Sequence, residues 1–521
     1  MATPATQAFQ RRDADDMLTS ITVPSTSARS RFINWGLSYE CQPLAIFEPE
    51  SEQHCELVLE FARKEGRVLR VIGVGHSPSD LACTTDFMLR MTKLNKLLEV
   101  NMEKLYVVVQ AGITLTDLHV ELGKHGLAMR NLGSISDQTL GGIVATASHG
   151  SGIGYKVMSA DVAALTLLLA DGSRVTCSRQ EHTDLFMASL CGLGSTGIIL
   201  TVQLEVERAF RLKDVQCSRT FEDVVEHLDE IVRSAQHVRF WWIAATHTVK
   251  CSVVNRTQEA KLPPIPWFWS SLVAYHFVQF FLFVGRYFLY VNTLTGRFVA
   301  WLANANVTLI DDSHTIFNVE CRYPQHTTEW AIPFRNAPAC LRALHDWMDI
   351  EAADPKGLRP HFPFELRFSA PDDIWLSPSF GQETCWIGIA QYKPYDLNVP
   401  YRRLFARYET IVAAHGGRPH WAKAHPFAPA TLRKLYPHFD DFAAYSWRGG
   451  GPQGIQGAGG VRANGAGTRQ VRTDTLVDLH RCRSWLQSKL TAEMMEDMVW
   501  MRQVQGLNSA AAITNQNPLM L

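Results

Sequence analysis

The chain has 521 residues, with 50 Lys plus Arg against 51 Asp plus Glu and a formal net charge of −1 at pH 7. That balance argues against a nucleic-acid partner, which needs a basic face, while 46% hydrophobic residues can fill the cores of two or three domains. The eleven cysteines stand singly, with no Cys-x-x-Cys pair and no metal-ligand spacing, so no metal centre is expected and a reducing compartment fits.

Residues 1–35 are rich in Ser, Thr and Ala and read as a disordered tail. Arg11 and Arg12 are accompanied by Asp13, Asp15 and Asp16, too acidic for a mitochondrial presequence, and no secretory apolar core follows. From about residue 36 strands alternate with helices. His54 to Lys64 carries apolar residues at three- and four-residue spacing, which predicts an amphipathic helix. Val68 to Ile72 reads as a strand opening into the turn Gly73-Val74-Gly75-His76-Ser77, whose backbone N–H groups can cradle phosphate. Leu105 to Gly112 is a strand, and Thr114 to Gly123 a capped helix. A second turn-rich stretch runs from Asn131 to Gly152. Ala164 to Gly172 enters a hairpin turn, and the Gly194-Ser195-Thr196-Gly197 turn precedes a strand that closes a first domain near residue 210.

A second domain, residues 211–442, mixes strands and helices around an uncharged aromatic insert at 265–285. About 20 apolar residues can span a bilayer, but His276 and Gln279 are costly in lipid. A helix pair packed in or on the domain, a helix lying on a membrane, and a true span all remain open. Residues 443–521 form a divergent tail; 448–467 holds nine glycines and almost no large apolar residue.

Taken together, the two glycine turns resemble the vanillyl-alcohol-oxidase type of FAD-binding domain and, within it, the sugar-1,4-lactone oxidases, over roughly residues 30 to 440. The resemblance implies an α+β fold: a PCMH-type FAD-binding domain at 36–210 and a mixed α/β substrate, or cap, domain at 211–442. It places the FAD pyrophosphate on Gly73, Val74, Gly75, His76 and Ser77, with His76 bonded covalently to the flavin 8α-methyl. A non-covalent cofactor beside a turn histidine is the alternative. Ser134, Ser136 and Asp137, then Gly141, Gly142 and Ala145, then Ser148, Gly150 and Ile199 match the family's other flavin-contacting positions. A nicotinamide-type Rossmann turn does not fit, because Pro78 stands where its third glycine belongs.

Gly133 is the discriminating position. Related dehydrogenases carry alanine there and react poorly with oxygen, so glycine implies an oxidase; its plainer reading is a turn that needs positive φ. In the cap, alternation puts Glu365 and Arg367 on one face of a strand, and the resemblance sets this Glu-x-Arg pair at the substrate carbinol. Arg418-Pro419-His420-Trp421-Ala422-Lys423 matches the family's Arg-Pro-His-Trp-x-Lys signature. Lys423 would place positive charge near the substrate, with His420 beside it. The expected chemistry is hydride loss from C2 of D-arabinono-1,4-lactone, giving D-erythroascorbate, with O2 leaving as H2O2. A related lactone or polyol oxidoreductase, or a flavin-binding protein without turnover, are the alternatives. The resemblance also implies a mitochondrial membrane location.

The family's ending, of the type Asp-Pro-x-Gly-x-Phe-x-Asn, is missing from the tail. Gly451 to Gln456 can be written GGA CCC CAA GGG ATT CAG, and one nucleotide later this reads Asp-Pro-Lys-Gly-Phe. A shifted reading frame would therefore explain the tail, and sequencing the transcript across these codons decides the point.

Overall fold

The structure is a computed structural model that describes residues 16–318, 323–361 and 363–445. Residues 1–15 and 446–521, the start of the expected N-terminal tail and nearly all of the C-terminal one, lie outside the described residues.

Residues 16–35 correct the expectation of a disordered tail. Ile21, Val23 and Phe32 are buried, Thr22 bridges Phe47, and Phe32–Ile33 pairs with Glu40–Cys41. Three apolar anchors suffice to hold a segment whose overall composition is that of a loop.

β1 (Ala45–Phe47), β2 (Leu69–Ile72) and β3 (Phe87–Arg90) form a parallel sheet in the order β1-β3-β2. The crossover is α1 (Glu52–Lys64), capped by the Ser51 hydroxyl, which accepts from the His54 amide. Its Cys55, Val58, Leu59 and Ala62 face the core, the spacing seen in the sequence. Next comes an antiparallel sheet of β4 (Leu97–Asn101), β5 (Tyr106–Gln110), β6 (Val162–Leu168), β7 (Arg174–Ser178) and β8 (Ile198–Glu205), ordered β7-β6-β8-β5-β4. α2 (Leu115–Lys124), capped by Thr114, and the short α3 (Leu140–Ala145) lie between β5 and β6 in the chain.

The turn after β2 is held by close packing. A Cβ on Gly73 would stand 2.0 Å from Oγ1 of Thr139, the residue before α3. Gly75 has φ +76°, a region that disfavours other residues, and a Cβ there would meet the Phe32 ring at 2.7 Å.

At Arg211 the chain enters an eight-stranded antiparallel sheet. Its strands are β9 (Arg211–Thr220), β10 (His237–Ile243), β11 (Thr248–Thr257), β12 (Val307–Asp312), β13 (Gln325–Pro333), β14 (Phe364–Ser369), β15 (Thr384–Tyr392) and β16 (Arg418–Pro419). Their spatial order is β12-β9-β11-β10-β14-β15-β13-β16. α4 (Phe221–Glu226) follows β9. The aromatic insert forms one helix over Phe268–Gly285, π-wound through Phe277 and then α5 (Val278–Gly285), packed against α6 (Leu289–Ala303). It is thus a surface helix pair with only 33% of the first helix buried, and Trp267, Tyr287 and Tyr290 are largely exposed. α7 (Ala337–Ala353) and α8 (Arg402–Ala414) complete the layer on one face of the sheet. Phe240, Trp242, Phe364, Leu366 and Trp330 fill the core on that face. By alternation, Trp241, Glu365, Arg367 and Glu329 point to the other.

Candidate active site

A cleft opens between the turn after β2, the start of α3 and the turn before β8. All of Gly73, Val74, Gly75, His76 and Ser77 line it, as do Gly141, Gly142, Ala145, Ser148 and Ile199. Gly133, Ser134, Ser136, Asp137 and Gly150 do not form its wall. Ser134 instead lies 3.4 Å from Glu365 Oε1. Ser136 donates to Asn318 Oδ1 at 2.8 Å and meets His119 Nε2 at 3.1 Å. Asp137 accepts from the Thr116 hydroxyl at 3.0 Å. Gly150 is a close-packing glycine, since a Cβ there would be 2.4 Å from Asn131 Oδ1. Gly133 is outside the left-handed region, which removes the positive-φ reading; an added Cβ would sit 3.3 Å from the His149 carbonyl. Its glycine is a matter of space.

The cleft suits a dinucleotide with a pyrophosphate. Gly-rich backbone forms its wall, and Arg70 Nε, buried at its edge, has no hydrogen-bond partner among the described residues. Arg70, Thr139 and Gly194 were not singled out from sequence, although the Gly194–Gly197 turn was visible. His76 stacks on Trp35 with ring centroids 4.5 Å apart and planes 14° apart. Burial, reinforced by the charge of Lys423, pushes its pKa down to about 4, so the imidazole is neutral at pH 7.

Beside this cleft the large sheet lays out a row of polar groups across four strands. Glu365 on β14 pairs with Gly388 on β15, Gly388 pairs with Glu329 on β13, and the His420 amide donates to the Glu329 carbonyl at 3.0 Å. One step along, Arg367 pairs with Trp386. Arg367 grips Glu365 through both guanidinium edges, Nε to Oε1 at 2.9 Å and Nη2 to Oε2 at 2.7 Å. Lys423 follows Ala422, which lines the cleft, and its amide donates to the His420 carbonyl.

Two residues of this cluster, Glu329 and His149, were missed in the sequence. Glu329 lies 3.2 Å from His149 Nε2 through Oε1 and 3.8 Å from Lys423 Nζ through Oε2. Burial would raise its carboxyl, but the charge and hydrogen bond of His149, then Lys423 and His420, outweigh burial and hold it well below the usual range. His149 stacks on Trp386 at 3.7 Å and 10°. It stands between Ser148 and Gly150, both of which the turn pattern picked out. Glu329 carried a fainter signal: a lone acid amid the alternation of Gln325 to Pro333. His420 is buried, which pushes its pKa down to about 3, and its Nδ1 accepts from the Ala422 amide.

Comparison with known proteins agrees with both halves. An FAD binding domain family matches residues 43–178, and the D-arabinono-1,4-lactone oxidase family matches residues 202–447. An L-gulonolactone oxidase from Mus musculus is 38% identical over 413 residues, 79% of this chain and 93% of that protein. A D-arabinono-1,4-lactone oxidase from Candida glabrata is 30% identical over 444 residues, 75% of this chain and 84% of that protein. In fold the chain is similar to cholesterol oxidase from B. sterolicum, with a TM-score of 0.65, 16% identity, and coverage of 82% and 98%. A glycine-walled FAD cleft beside a Glu-x-Arg strand, matched over most of the length of lactone-oxidising relatives, places the chain in the sugar-1,4-lactone oxidase family of FAD-dependent oxidoreductases.

Proposed function

We propose that the protein oxidises C2 of D-arabinono-1,4-lactone to give D-erythroascorbate, with O2 as electron acceptor and H2O2 as by-product. The observation that carries this reading is the bidentate Arg367–Glu365 pair beside Ser134 and near the FAD cleft. FAD bound there supplies the hydride acceptor. Arg367 stabilises negative charge developing on the substrate oxygen, and Glu365 orients the C2 hydroxyl and takes its proton. Lys423, its ammonium facing Glu329, adds positive charge at the mouth of the cleft. His76, neutral and stacked on Trp35, has the free nitrogen lone pair that covalent attachment of the flavin requires. Gly133 keeps the space beside the His149 carbonyl open for oxygen. The exposed aromatic hairpin supports attachment to a membrane surface.

A second substrate reading, L-gulono-1,4-lactone, draws on the higher identity of the Mus musculus relative. Anaerobic titration of the flavin absorbance with each lactone separates the two: the true substrate bleaches the flavin at lower concentration and faster. Admission of air then tests the acceptor. Prompt recovery of colour with peroxide supports the oxidase, and a flavin that stays reduced overturns it. In the oxidase, G133A is expected to slow recovery by tenfold or more while leaving anaerobic bleaching largely intact.

A further inference from the structure

On the helix-covered face of the large sheet, away from the FAD cleft, three side chains converge from separate elements. His345 and Asp349 are one turn apart on α7, and His247 occupies the turn between β10 and β11. His247 Nε2 is 3.5 Å from Asp349 Oδ1, His345 Nδ1 is 3.5 Å from Asp349 Oδ2, and the three ligand atoms all lie within 4.8 Å of one another. Donors about 2.0–2.2 Å from a tetrahedral cation are themselves about 3.3–3.5 Å apart, and each imidazole already stands at that distance from one of the two oxygens of the Asp349 carboxylate.

The surroundings fit metal ligation better than a surface ion pair. The His345 ring packs against Phe221, centroids 4.4 Å apart, and Trp242, 6.0 Å. Its other nitrogen, Nε2, is buried, has no hydrogen-bond partner among the described residues, and lies 3.7 Å from Glu222 Oε1. A ligating histidine characteristically turns its second N–H to a carboxylate in this way. His247 holds a left-handed backbone, φ +53°, where Asn or Gly would be cheaper, and its carbonyl accepts from the Phe221 amide. Two imidazoles and one carboxylate suit a borderline divalent transition metal and not calcium or magnesium. No ligand spacing appears in the sequence because the donors come from a turn and a helix about a hundred residues apart.

We propose that His247, His345 and Asp349 form a surface site for a divalent transition-metal cation of the zinc class, with a fourth position open to water. The cation would clamp the β10–β11 turn onto α7.

The test is calorimetric titration of the FAD-loaded full-length protein with ZnCl2, alongside H247N, D349N and E222Q. Asn tolerates the left-handed position, and Asp349 and Glu222 are exposed enough for the fold to survive. Wild type is expected to show one saturable site, weakened roughly tenfold or more in H247N and D349N and more modestly in E222Q. Zinc should also raise the melting temperature of wild type and leave that of D349N unchanged. Absence of saturable zinc uptake by wild type overturns the proposal. So does zinc affinity in H247N and D349N unchanged from that of wild type, which would put the cation on thiolates or elsewhere.

Discussion

Glu329 is buried, ionised and shared between His149 and Lys423. Removing one partner of such a group leaves the others without a counter-charge, at a cost of about 3–5 kcal/mol. E329Q is therefore expected to lower the melting temperature and to slow anaerobic flavin reduction tenfold or more, with E329D restoring part of the rate. A thermal melt and a stopped-flow reduction trace check this; unchanged reduction would show that Glu329 does not position Lys423. The contrast with Glu365 explains what the sequence could reveal. Glu365 and Arg367 are legible because a two-residue spacing puts them on one strand face. Glu329 reaches its partners only through sheet register, with His149 coming from a loop some 180 residues earlier, and no local pattern encodes that.

At the scale of elements, caps and periodicity were legible. Thr114 starts α2 where the sequence marks it, α1 begins at Glu52, two residues before the expected His54, and the apolar spacing of α1 is its buried face. The eight-strand order of the large sheet was not, because it joins strands distant in sequence. Nor was the π-winding of Phe268–Phe277, since a continuous aromatic run carries no period to choose between helix types. That segment leaves Trp267, Phe268 and Trp269 about half exposed or more. If the hairpin docks on lipid, a W267S/F268S/W269S variant should lose flotation with phosphatidylcholine vesicles and keep its lactone turnover. Equal flotation of both proteins would remove the hairpin from the docking surface.

Across the whole molecule, burial decides the response to acid. His76, His119, His237 and His361 have pKa values pushed down to about 4 by burial, His425 likewise, and His326 and His420 to about 3. An unfolded histidine titrates near 6.5. Between those values the unfolded chain binds protons that the native state refuses, so stability is full above about pH 6.5 and falls as pH drops toward 4. Each such group can withdraw up to about 3 kcal/mol. Asp161 and Asp372, raised to about 6 by burial, and Glu409, raised to about 7, act in the opposite direction, but they are fewer. Melting temperature measured from pH 8 to 4 should be flat at first and then fall steeply below about 6.5. A flat profile down to pH 5 would contradict this assignment.

The row Glu365–Gly388–Glu329–His420 also has a consequence in time. Ribosomal synthesis delivers these residues in the order 329, 365, 388, 420, while space places Glu329 between the last two. A nascent chain that has released β13, β14 and β15 but not β16 can pair the sheet around Glu329 while the Lys423 ammonium is still inside the exit tunnel. Closing the core at that stage would leave a buried carboxylate lacking one of its cations, a costly state. Completion of the cap is thus tied to the emergence of a two-residue strand at the sheet's edge. A chain halted before residue 418 is expected to be degraded as a misfolded protein, not to persist as an inactive enzyme.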